Sequence, residues 1–433
     1  MQITINLDKK IRKIKNMNAT GQAPTSGIGY KAYEPFHYLS DVSVPYVRLH
    51  DVGGLFGGNR YVDIPNIFRD FEADENDPKN YDFAFTDAYI TALYQHGIKA
   101  YYRLGVTIEN HSEIKSYRID CPKDAAKWAR ICERIVAHYN DGWANGFHYD
   151  IEYWEIWNEP DDAATLRVSQ MWNGTAEEYY NLYDVTAKYL KAKHPNIKVG
   201  GYSSMGFQAI TDTAEELAAK PTHQYQLDFF HGFMKYIKEH GSPIDFFSWH
   251  CYNSMDNLLK HCSWVREQLD SYGFTSTESH LNEWNPARDR RHTAEQSAFV
   301  AKAMIGAQNL PLDMLMIYDA KMDGSLYSAF ATPSHKLVPS HTYYVYAAFA
   351  HLYRLGTQVE LTCDTQNVYA LAASDGEKHA LMITNLTDKT QEVNISGADL
   401  SNARWHIIDD EHRLSWSVAR KTIQPYMTIL VEF

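Results

Sequence analysis

The stretch "FTDAYITALYQHGIKAYYRLGV" (residues 85–106) contains one complete unit of the predicted fold. Its first part has apolar residues at the spacing of an amphipathic helix, Gly97 interrupts that pattern, and a short apolar and aromatic run then predicts a strand. The same succession of helix and strand recurs along the chain. The further predicted helices cover 124–141, 176–195, 225–241 and 294–310, and the strands that follow them lie near 151–160, 197–204, 244–253 and 312–320.

This alternation predicts a parallel sheet, because strands joined through helices run in the same direction with right-handed crossovers. Strands at 44–52 and 278–284, and a first strand expected at 27–32, bring the count to eight. Eight such units close a (β/α)8 barrel, and roughly 320 residues suit that fold. We therefore expect an α/β protein with the barrel over 17–345. A doubly wound open sheet is the alternative, but the sequence lacks a dinucleotide-type glycine fingerprint.

The pattern changes after a predicted last helix at 340–356. The stretch "VYALAASDGEKHALMITNLT" (368–387) places two alternating strands around Asp375-Gly376, which is a strong hairpin signal. Further short strands follow. We expect a small antiparallel β-sandwich domain over 346–433, with the N-terminal strand within 1–16 joining it.

Composition narrows the class of protein. A chain of 433 residues exceeds the usual size of a single hydrophobic core, which fits one large and one small domain. The net charge of −13 argues against nucleic acid, whose phosphates require a basic surface. No apolar run reaches the length of a spanning helix, so no membrane insertion is expected. Aromatic residues make up 14 % of the chain, and such rings suit stacking against sugars as well as packing in a core.

Cysteine usage and the N-terminus give weaker indications. The five cysteines are odd in number and show no C-x-x-C spacing, so neither a disulfide framework nor a structural zinc site is expected. The N-terminus has no continuous apolar segment of the signal-peptide kind. That leaves both a cytoplasmic protein and a trimmed secreted or periplasmic one open, and nothing in the sequence indicates the oligomeric state.

Two carboxylates close their strands in similar surroundings, Glu159 in "WNEP" and Glu283 in "NEWN". Active sites of such barrels lie at the carboxyl ends of the strands. The fourth and seventh strands lie three positions apart, so these side chains should face each other across the mouth. Two facing carboxyl groups can divide proton donation and attack at a glycosidic bond between them. Glu155, four residues before Glu159 and of the same parity, should point inward and serve a structural salt bridge or water network.

The motifs "EIWNEP" and "NEWN", with "VRLHD" before them and "WHCY" between them, resemble the clan A glycoside hydrolases, and in detail family 39, which includes β-xylosidases and α-L-iduronidases. The motifs fall on predicted strands two, four, six and seven, and the trailing sandwich is also similar to that family. The resemblance implies a retaining mechanism with Glu159 as acid/base and Glu283 as nucleophile, acting on a carbohydrate without a cofactor or metal. It also implies a set of substrate-binding residues, namely Asn158, His50, His250, Tyr252, Arg48, Trp284 and Tyr318.

Individual roles follow from the same resemblance. Asn158 should donate a hydrogen bond to the sugar 2-hydroxyl and Tyr252 one to Glu283. Arg48 should keep Glu283 ionised, while His50 contacts the sugar and His250 lines the pocket. A purely structural role is the alternative for each histidine and for Arg48, and a strand-end cap is the alternative for Asn158.

Two features depart from a simple xylosidase pattern. The eighth strand ends in Tyr318, Asp319 and Lys321 where the family's xylosidases are rich in Trp, which weakens any inference of xylose specificity. The loop after Glu283 carries Arg288, Arg290 and Arg291, which could read a uronate or a sulfated sugar or could simply be a solvated loop. A metal-dependent hydrolase is disfavoured by the scattered histidines, and an inactive carbohydrate-binding protein on the same fold is the remaining alternative.

Overall fold

The computed structural model describes most of the chain. The described residues are 1–22, 24, 35–52, 62–107, 119–164, 169, 171–252, 255–286, 290–322, 328–332 and 338–433.

Strand β1 (Gln2–Lys13) belongs to the second domain, and the next eight strands form a closed parallel barrel in chain order. The barrel strands are β2 (Asn16–Gly21), β3 (Tyr46–Leu49), β4 (Lys99–Leu104), β5 (Tyr153–Ile156), β6 (Lys198–Ser204), β7 (Phe246–Cys251), β8 (Glu278–Trp284) and β9 (Met314–Tyr318). The predicted barrel is therefore confirmed.

The described helices lie between and after these strands. They are α1 (His37–Asp41), α2 (Ile64–Ile67), α3 (Ala84–Gln95), α4 (Ala125–Asn140), α5 (Ala176–Lys193), α6 (Ala214–Ala219), α7 (Pro221–His240), α8 (Met255–Tyr272), α9 (Ala294–Ala307) and α10 (His341–Leu355). Local sequence fixes several of their ends. Thr175 and Glu178 form a capping box at the start of α5, and Gly241, with φ 65°, ends α7 in the left-handed conformation.

The first barrel strand is not where the sequence predicts it. The predicted strand at 27–32 lies outside the described residues, whereas β2 pairs with both β3 and β9 and completes the closed barrel. The sequence "NMNATG" shows no apolar run, because two of its fully buried positions hold the polar residues Asn18 and Thr20. Asn18 Nδ2 donates to the Ser43 carbonyl at 2.6 Å. A buried polar side chain that satisfies a neighbouring backbone group thus hides the strand from hydrophobicity patterns.

The barrel interior is apolar at its lower end and charged above. A separate buried cluster of seven side chains, which we call the barrel floor, closes the lower end. It consists of Ala19, Tyr46, Tyr101, Tyr153, Phe246, Met314 and Met316. The Tyr101 and Tyr153 rings stack with centroids 5.3 Å apart. These aromatic side chains fill the interior as packed layers do in other barrels of this class. The floor therefore seals one end and leaves the carboxyl ends of the strands to carry polar groups.

The second domain is a mostly antiparallel sheet of eight strands in the order β14-β1-β10-β11-β12-β18-β15-β16, with a two-stranded sheet of β13 and β17. Its strands after the barrel are β10 (Thr357–Cys363), β11 (Val368–Ser374), β12 (His379–Asn385), β13 (Gln391–Glu392), β14 (Asn394–Ser396), β15 (Arg404–Ile408), β16 (Arg413–Ser417), β17 (Thr422–Ile423) and β18 (Thr428–Glu432).

The pairing in this domain follows the sequence closely. Strands β11 and β12 form the hairpin predicted around Asp375-Gly376, and Gly376 has φ 105° in its turn. Strand β1 pairs antiparallel with β10. One sheet face has its own core, and the other contributes Met382 and Leu430 to the main hydrophobic core of the barrel. The two domains thus share a continuous apolar contact.

No helix among the described residues has the length and apolar character needed to cross a membrane.

The close approach of β6 and β7 at Gly200 gives a test of the barrel packing. A Cβ at this position would lie 2.0 Å from the Phe246 carbonyl oxygen and 2.7 Å from its ring. We expect Gly200→Ala to lower the free energy of unfolding by about 2–3 kcal/mol, because neither the carbonyl nor the packed ring can move freely. Gly306→Ala in α9 is the matched control, since its Cβ would meet its nearest atom, Leu259 Cδ2, at 3.8 Å. Thermal unfolding of both variants measures the difference, and equal midpoints would contradict the packing.

Candidate active site

Arg48 on β3 is the centre of the charged upper interior. Its side chain is fully buried and its guanidinium donates to four groups from three other strands or their ends. Nε donates to Glu155 Oε2 at 2.7 Å and Nη1 to Glu283 Oε1 at 2.6 Å. Nη2 donates to Asn158 Oδ1 at 2.5 Å and to Ser203 Oγ at 2.8 Å. A buried cation is tolerated when it is paired and hydrogen-bonded in this way.

Glu155 occupies the inward structural position that its parity on β5 predicts. It is fully buried, and its second oxygen accepts from Ser203 Oγ at 2.7 Å and from Asn282 Nδ2 at 2.6 Å. Arg48 therefore bridges two carboxylates, one deep in the barrel and one at its mouth. Glu155 balances the guanidinium from below and leaves Glu283 at the upper end of the pair.

Both oxygens of Glu283 accept a hydrogen bond. Besides the Arg48 contact at Oε1, Tyr252 OH donates to Oε2 at 2.7 Å, which is the contact expected from the sequence. The side chain is 5 % exposed at the end of β8. Burial raises the pKa of Glu283 above its usual value, while Arg48 and the Tyr252 hydrogen bond act in the opposite direction. The Arg48 and Tyr252 hydrogen bonds thus offset part of the cost that burial places on the ionised form of Glu283.

Glu159 reaches the same site from a turn and not from the strand itself. Strand β5 ends at Ile156, so the expectation that Glu159 ends the strand in register with Glu155 is wrong. Trp157 and Glu159 have φ of 73° and 48°, a left-handed conformation that is uncommon outside glycine. The Glu159 amide donates to the Ser203 carbonyl at 3.1 Å, which ties the turn to β6. Backbone strain of this kind is concentrated at functional sites.

His250 on β7 lies between the two carboxylates. Its Nδ1 is 2.6 Å from Glu159 Oε1 and its Nε2 is 3.6 Å from Glu283 Oε1. One oxygen of Glu159, one oxygen of Glu283 and one ring nitrogen lie within 4.8 Å of one another. The carboxyl groups of Glu159 and Glu283 therefore face the same small space, with one oxygen of each within 4.8 Å of the other.

The environments of the two carboxyl groups differ in charge. Burial, and then the nearby Asp162 carboxylate, raise the pKa of Glu159 well above its usual value. Burial also lowers the pKa of His250 to about 4. The group closest to Glu159 is thus a neutral imidazole, whereas the group closest to Glu283 is a guanidinium. This asymmetry favours a protonated Glu159 beside an ionised Glu283.

The two polar atoms of the Asn158 side chain differ in their hydrogen bonding. Its Oδ1 accepts from Arg48, and its buried Nδ2 has no hydrogen-bond partner among the residues that the structure describes. A buried amide donor without a partner is costly unless a ligand supplies one. The arrangement suits donation to a substrate hydroxyl.

A second polar cluster lies beside Glu283, and one of its members, Gln22, was missed from the sequence. Tyr318 OH, at the end of β9, donates to Asp51 Oδ2 at 2.9 Å, and Gln22 Nε2 donates to the same oxygen at 2.9 Å and to Tyr318 OH. Asp51 Oδ1 lies 3.6 Å from His50 Nε2. Gln22 follows β2, which the sequence did not predict, so no pattern pointed to it. Asp51 is the last residue of the motif "VRLHD" and directly follows His50 at a strand end.

The remaining predicted residues lie at varied distances from the carboxylates. His50 Nε2 is 3.8 Å from Glu283 Oε1. Trp284 is 1 % exposed and packs in the main hydrophobic core, so its role in binding stays a prediction. Asp319 is buried and accepts from the Lys321 amide at 3.0 Å.

The loop after β8 holds two described arginines. Arg290 pairs with Glu295 at 3.4 Å and lies over the Phe299 ring, and Arg291 donates from Nε to the Pro286 carbonyl at 3.2 Å. Arg288 lies outside the described residues. Both described side chains are thus engaged with the chain itself.

The described residues contain one group spaced to hold a metal ion, and it is Glu159, His250 and Glu283. Both oxygens of Glu283 already accept hydrogen bonds, and a guanidinium nitrogen lies 2.6 Å from one of them. A divalent cation there would be repelled by Arg48. The donor set therefore fits a carboxylate pair better than a resident metal.

Comparisons with known proteins agree with this geometry. A family model described as glycosyl hydrolases family 39 matches residues 13–321. A protein named β-xylosidase from Geobacillus stearothermophilus is 23 % identical over 294 residues, which are 60 % of this chain and 51 % of the relative. Another β-xylosidase, from Caldicellulosiruptor saccharolyticus, is 26 % identical over 345 residues, which are 72 % of this chain and 62 % of the relative. The chain thus spans between half and two thirds of the length of these relatives.

Solved structures share the fold over the whole chain. A glucosidase from Croceicoccus marinus has a TM-score of 0.77 at 19 % identity and covers 100 % of this chain and 98 % of its own. A monomeric β-xylosidase from Caulobacter crescentus has a TM-score of 0.70 at 15 % identity, with 100 % and 99 % covered. The two solved structures and the present chain therefore share one architecture, a barrel with an accessory sheet domain.

The position of Arg48 between two buried carboxylates gives a test of the site's electrostatics. We expect Arg48→Met to lower the free energy of unfolding at pH 7 by about 3–5 kcal/mol, because Glu155 and Glu283 lose their counter-charge. The loss should shrink as the pH falls toward 5, since burial raises the pKa of Glu283 and a protonated carboxyl group needs no counter-charge. Urea unfolding at both pH values measures this. Arg48→Met/Glu155→Gln should recover part of the stability, and a double variant no more stable than the single one would contradict the pairing.

Proposed function

The chain belongs to the glycosyl hydrolases of family 39, and from this membership we propose that it hydrolyses glycosidic bonds with retention of anomeric configuration. The observation that carries the proposal is the approach of Glu159 and Glu283, whose closest oxygens lie within 4.8 Å. Retaining enzymes hold their two carboxyl groups about 5 Å apart, whereas inverting enzymes leave a wider gap for water. The spacing therefore supports direct attack by a carboxylate.

Glu283 is the proposed nucleophile. One of its oxygens forms a bond to the anomeric carbon while the bond from that carbon to the leaving oxygen breaks. The developing charge on the leaving oxygen is neutralised by the proton of Glu159. Donors from Arg48 and Tyr252 hold Glu283 ionised and fix its orientation before attack.

The second step reverses these roles. Glu159, now ionised, removes a proton from a water molecule as that water attacks the anomeric carbon, and the bond to Glu283 breaks. The free sugar leaves, Glu283 is again a carboxylate, and Glu159 is again protonated. The acid must therefore be protonated at the start of each catalytic cycle, which the raised pKa of Glu159 supports. It must also lose and regain its proton once per cycle.

His250 is proposed to hold the proton on the correct carboxyl group. With its pKa lowered to about 4, the ring is neutral and has one N–H. Placing that hydrogen on Nε2 directs it toward the Glu283 anion and leaves the Nδ1 lone pair to accept from a protonated Glu159. A second proton on the ring would favour ionisation of Glu159 and remove the acid.

Substrate preference follows from the rest of the pocket. Asn158 Nδ2 is proposed to donate to the 2-hydroxyl of the sugar, an interaction that gains strength in the transition state. The relatives named β-xylosidase favour a xyloside or a similar short β-linked saccharide as substrate. The described arginines of the loop after β8 are engaged with Glu295 and Pro286, which favours a neutral sugar over a uronate or sulfated one.

The activity is tested with a panel of aryl β-D-xylosides, glucosides and glucuronides. We expect turnover of a neutral glycoside and a fall in kcat on the order of 10⁴-fold in Glu283→Gln, because the amide cannot attack. Glu152→Gln is the matched control, since Glu152 lies at the opposite end of the barrel and pairs with Lys198 and Tyr46. A carbohydrate-binding protein without activity would bind these sugars with no turnover in any of the three proteins.

The assignment of Glu159 is tested through leaving groups. Glu159→Ala should lower kcat/KM by about 10²–10⁴-fold for glycosides with poor leaving groups, which need protonation, and far less for dinitrophenyl glycosides. The alkaline decline of the wild-type pH profile should also disappear, because activity is lost as pH rises through the pKa of the acid. Equal losses with all leaving groups would contradict the assignment.

A further inference from the structure

His50, Arg103 and Asp63 form a buried chain that leads away from the candidate active site. Arg103 Nε donates to His50 Nδ1 at 3.2 Å, and Arg103 Nη2 donates to Asp63 Oδ1 at 2.6 Å. The other oxygen of Asp63 accepts from the Thr107 amide at 2.9 Å. All three side chains are 0–1 % exposed. These hydrogen bonds join Arg103 to the site through His50 and to neither carboxylate of the proposed catalytic pair.

The direction of the first hydrogen bond decides where the proton of His50 lies. A guanidinium has only N–H donors and does not lose its charge in proteins. Nδ1 of His50 must therefore be the acceptor and carries a lone pair. The single hydrogen of the neutral ring is then on Nε2, which is the nitrogen that faces the site. It lies 3.6 Å from Asp51 Oδ1 and 3.8 Å from Glu283 Oε1.

We propose that Arg103 is a positioning residue that locks His50 as a neutral Nε2–H donor toward the sugar, an inference that rests on the proposed glycosidase function for its consequence. In this form His50 offers a donor to a sugar hydroxyl oxygen without adding a charge beside the nucleophile. The opposite tautomer would turn a lone pair toward Asp51 and Glu283. A charged ring would lose the bond from Arg103 and would face that guanidinium with a second cation.

The surroundings of His50 support a neutral ring. Burial, and then the positive charge of Arg48, lower the pKa of His50 well below its usual value. The other basic groups that act on it are Arg103, His250 and Lys321, and the carboxylates near its Nε2 are Asp51 and Glu283. Asp63 in turn balances the charge of Arg103, which would otherwise be buried without a carboxylate partner in this chain of contacts.

The tautomer is measurable in the free enzyme by long-range ¹H–¹⁵N NMR of the histidine rings. The spectrum of His50→Gln identifies the His50 signals by difference. We expect a protonated Nε2 and a bare Nδ1 that do not change between pH 5 and 8. A proton on Nδ1, or formation of the imidazolium in that range, would overturn the proposal whether or not the protein hydrolyses a glycoside.

Arg103→Lys tests the origin of the lock. An ammonium can approach Asp63 or His50 but cannot reproduce the planar fork that serves both. We expect a mixture of His50 tautomers and a fall in kcat/KM of roughly 10- to 100-fold, the range for loss of a charge-assisted hydrogen bond. Arg130→Lys is the matched control, because Arg130 pairs with Glu75 at the surface. It should leave both readouts unchanged.

A double-mutant cycle separates positioning from a general structural role. His50→Gln should itself lose activity, and adding Arg103→Lys to it should cost little more, since Arg103 acts through the ring that is already absent. Additive losses, or a wild-type tautomer in Arg103→Lys, would overturn the proposal. If Arg103→Lys does not fold, the wild-type spectrum alone still decides the protonation of His50.

Discussion

The ion pair of Arg48 with Glu155 and Glu283 is the interaction on which the upper half of the barrel depends. A guanidinium with no exposed surface is tolerated when its charge is paired and its donors find acceptors, and here it makes four hydrogen bonds to groups from β5, β6 and β8 and the turn after β5. A lysine could not serve the same set, because its ammonium is a compact point charge without the planar fork. The charge that makes the barrel interior costly to fold is also the charge that holds Glu283 ready to act.

Glu159 and Glu283 have the same carboxyl group, and their different neighbours give them different proton affinities. Glu283 has a cation and a phenol, each donating to one of its oxygens, whereas Glu159 has a neutral imidazole and the carboxylate of Asp162 nearby. Burial penalises ionisation of both, and Arg48 opposes that penalty at both, but its guanidinium donates a hydrogen bond directly to Glu283. Environments that push two pKa values apart are the usual way for one site to hold both an acid and a base. His250 touches both groups and so couples their protonation.

The sequence predicted much of this arrangement because barrel topology converts strand order into spatial position. Glu159 and Glu283 were found from their places on strands four and seven, and the roles of Arg48, His250 and Tyr252 from the resemblance to family 39. Strand β2 was missed because two of its buried positions hold polar residues, namely Thr20 and Asn18, whose amide donates to the Ser43 carbonyl. The left-handed turn that carries Glu159 could not be read from "WNEP", since neither Trp157 nor Glu159 favours positive φ. Asp63 lies outside any strand-end pattern and Gln22 follows the strand that was missed, so only the folded chain shows their contacts with Arg103 and Asp51.

The central claim is that a carboxylate, and not a water molecule, attacks the anomeric carbon across the short gap between Glu159 and Glu283. The most direct measurement is ¹H NMR of the first sugar released from the best aryl glycoside of the panel, recorded before mutarotation. Attack by Glu283 followed by water inverts the anomeric centre twice, so the first-formed product should keep the configuration of the substrate. A first-formed product of the opposite configuration would contradict a retaining pair at these two positions.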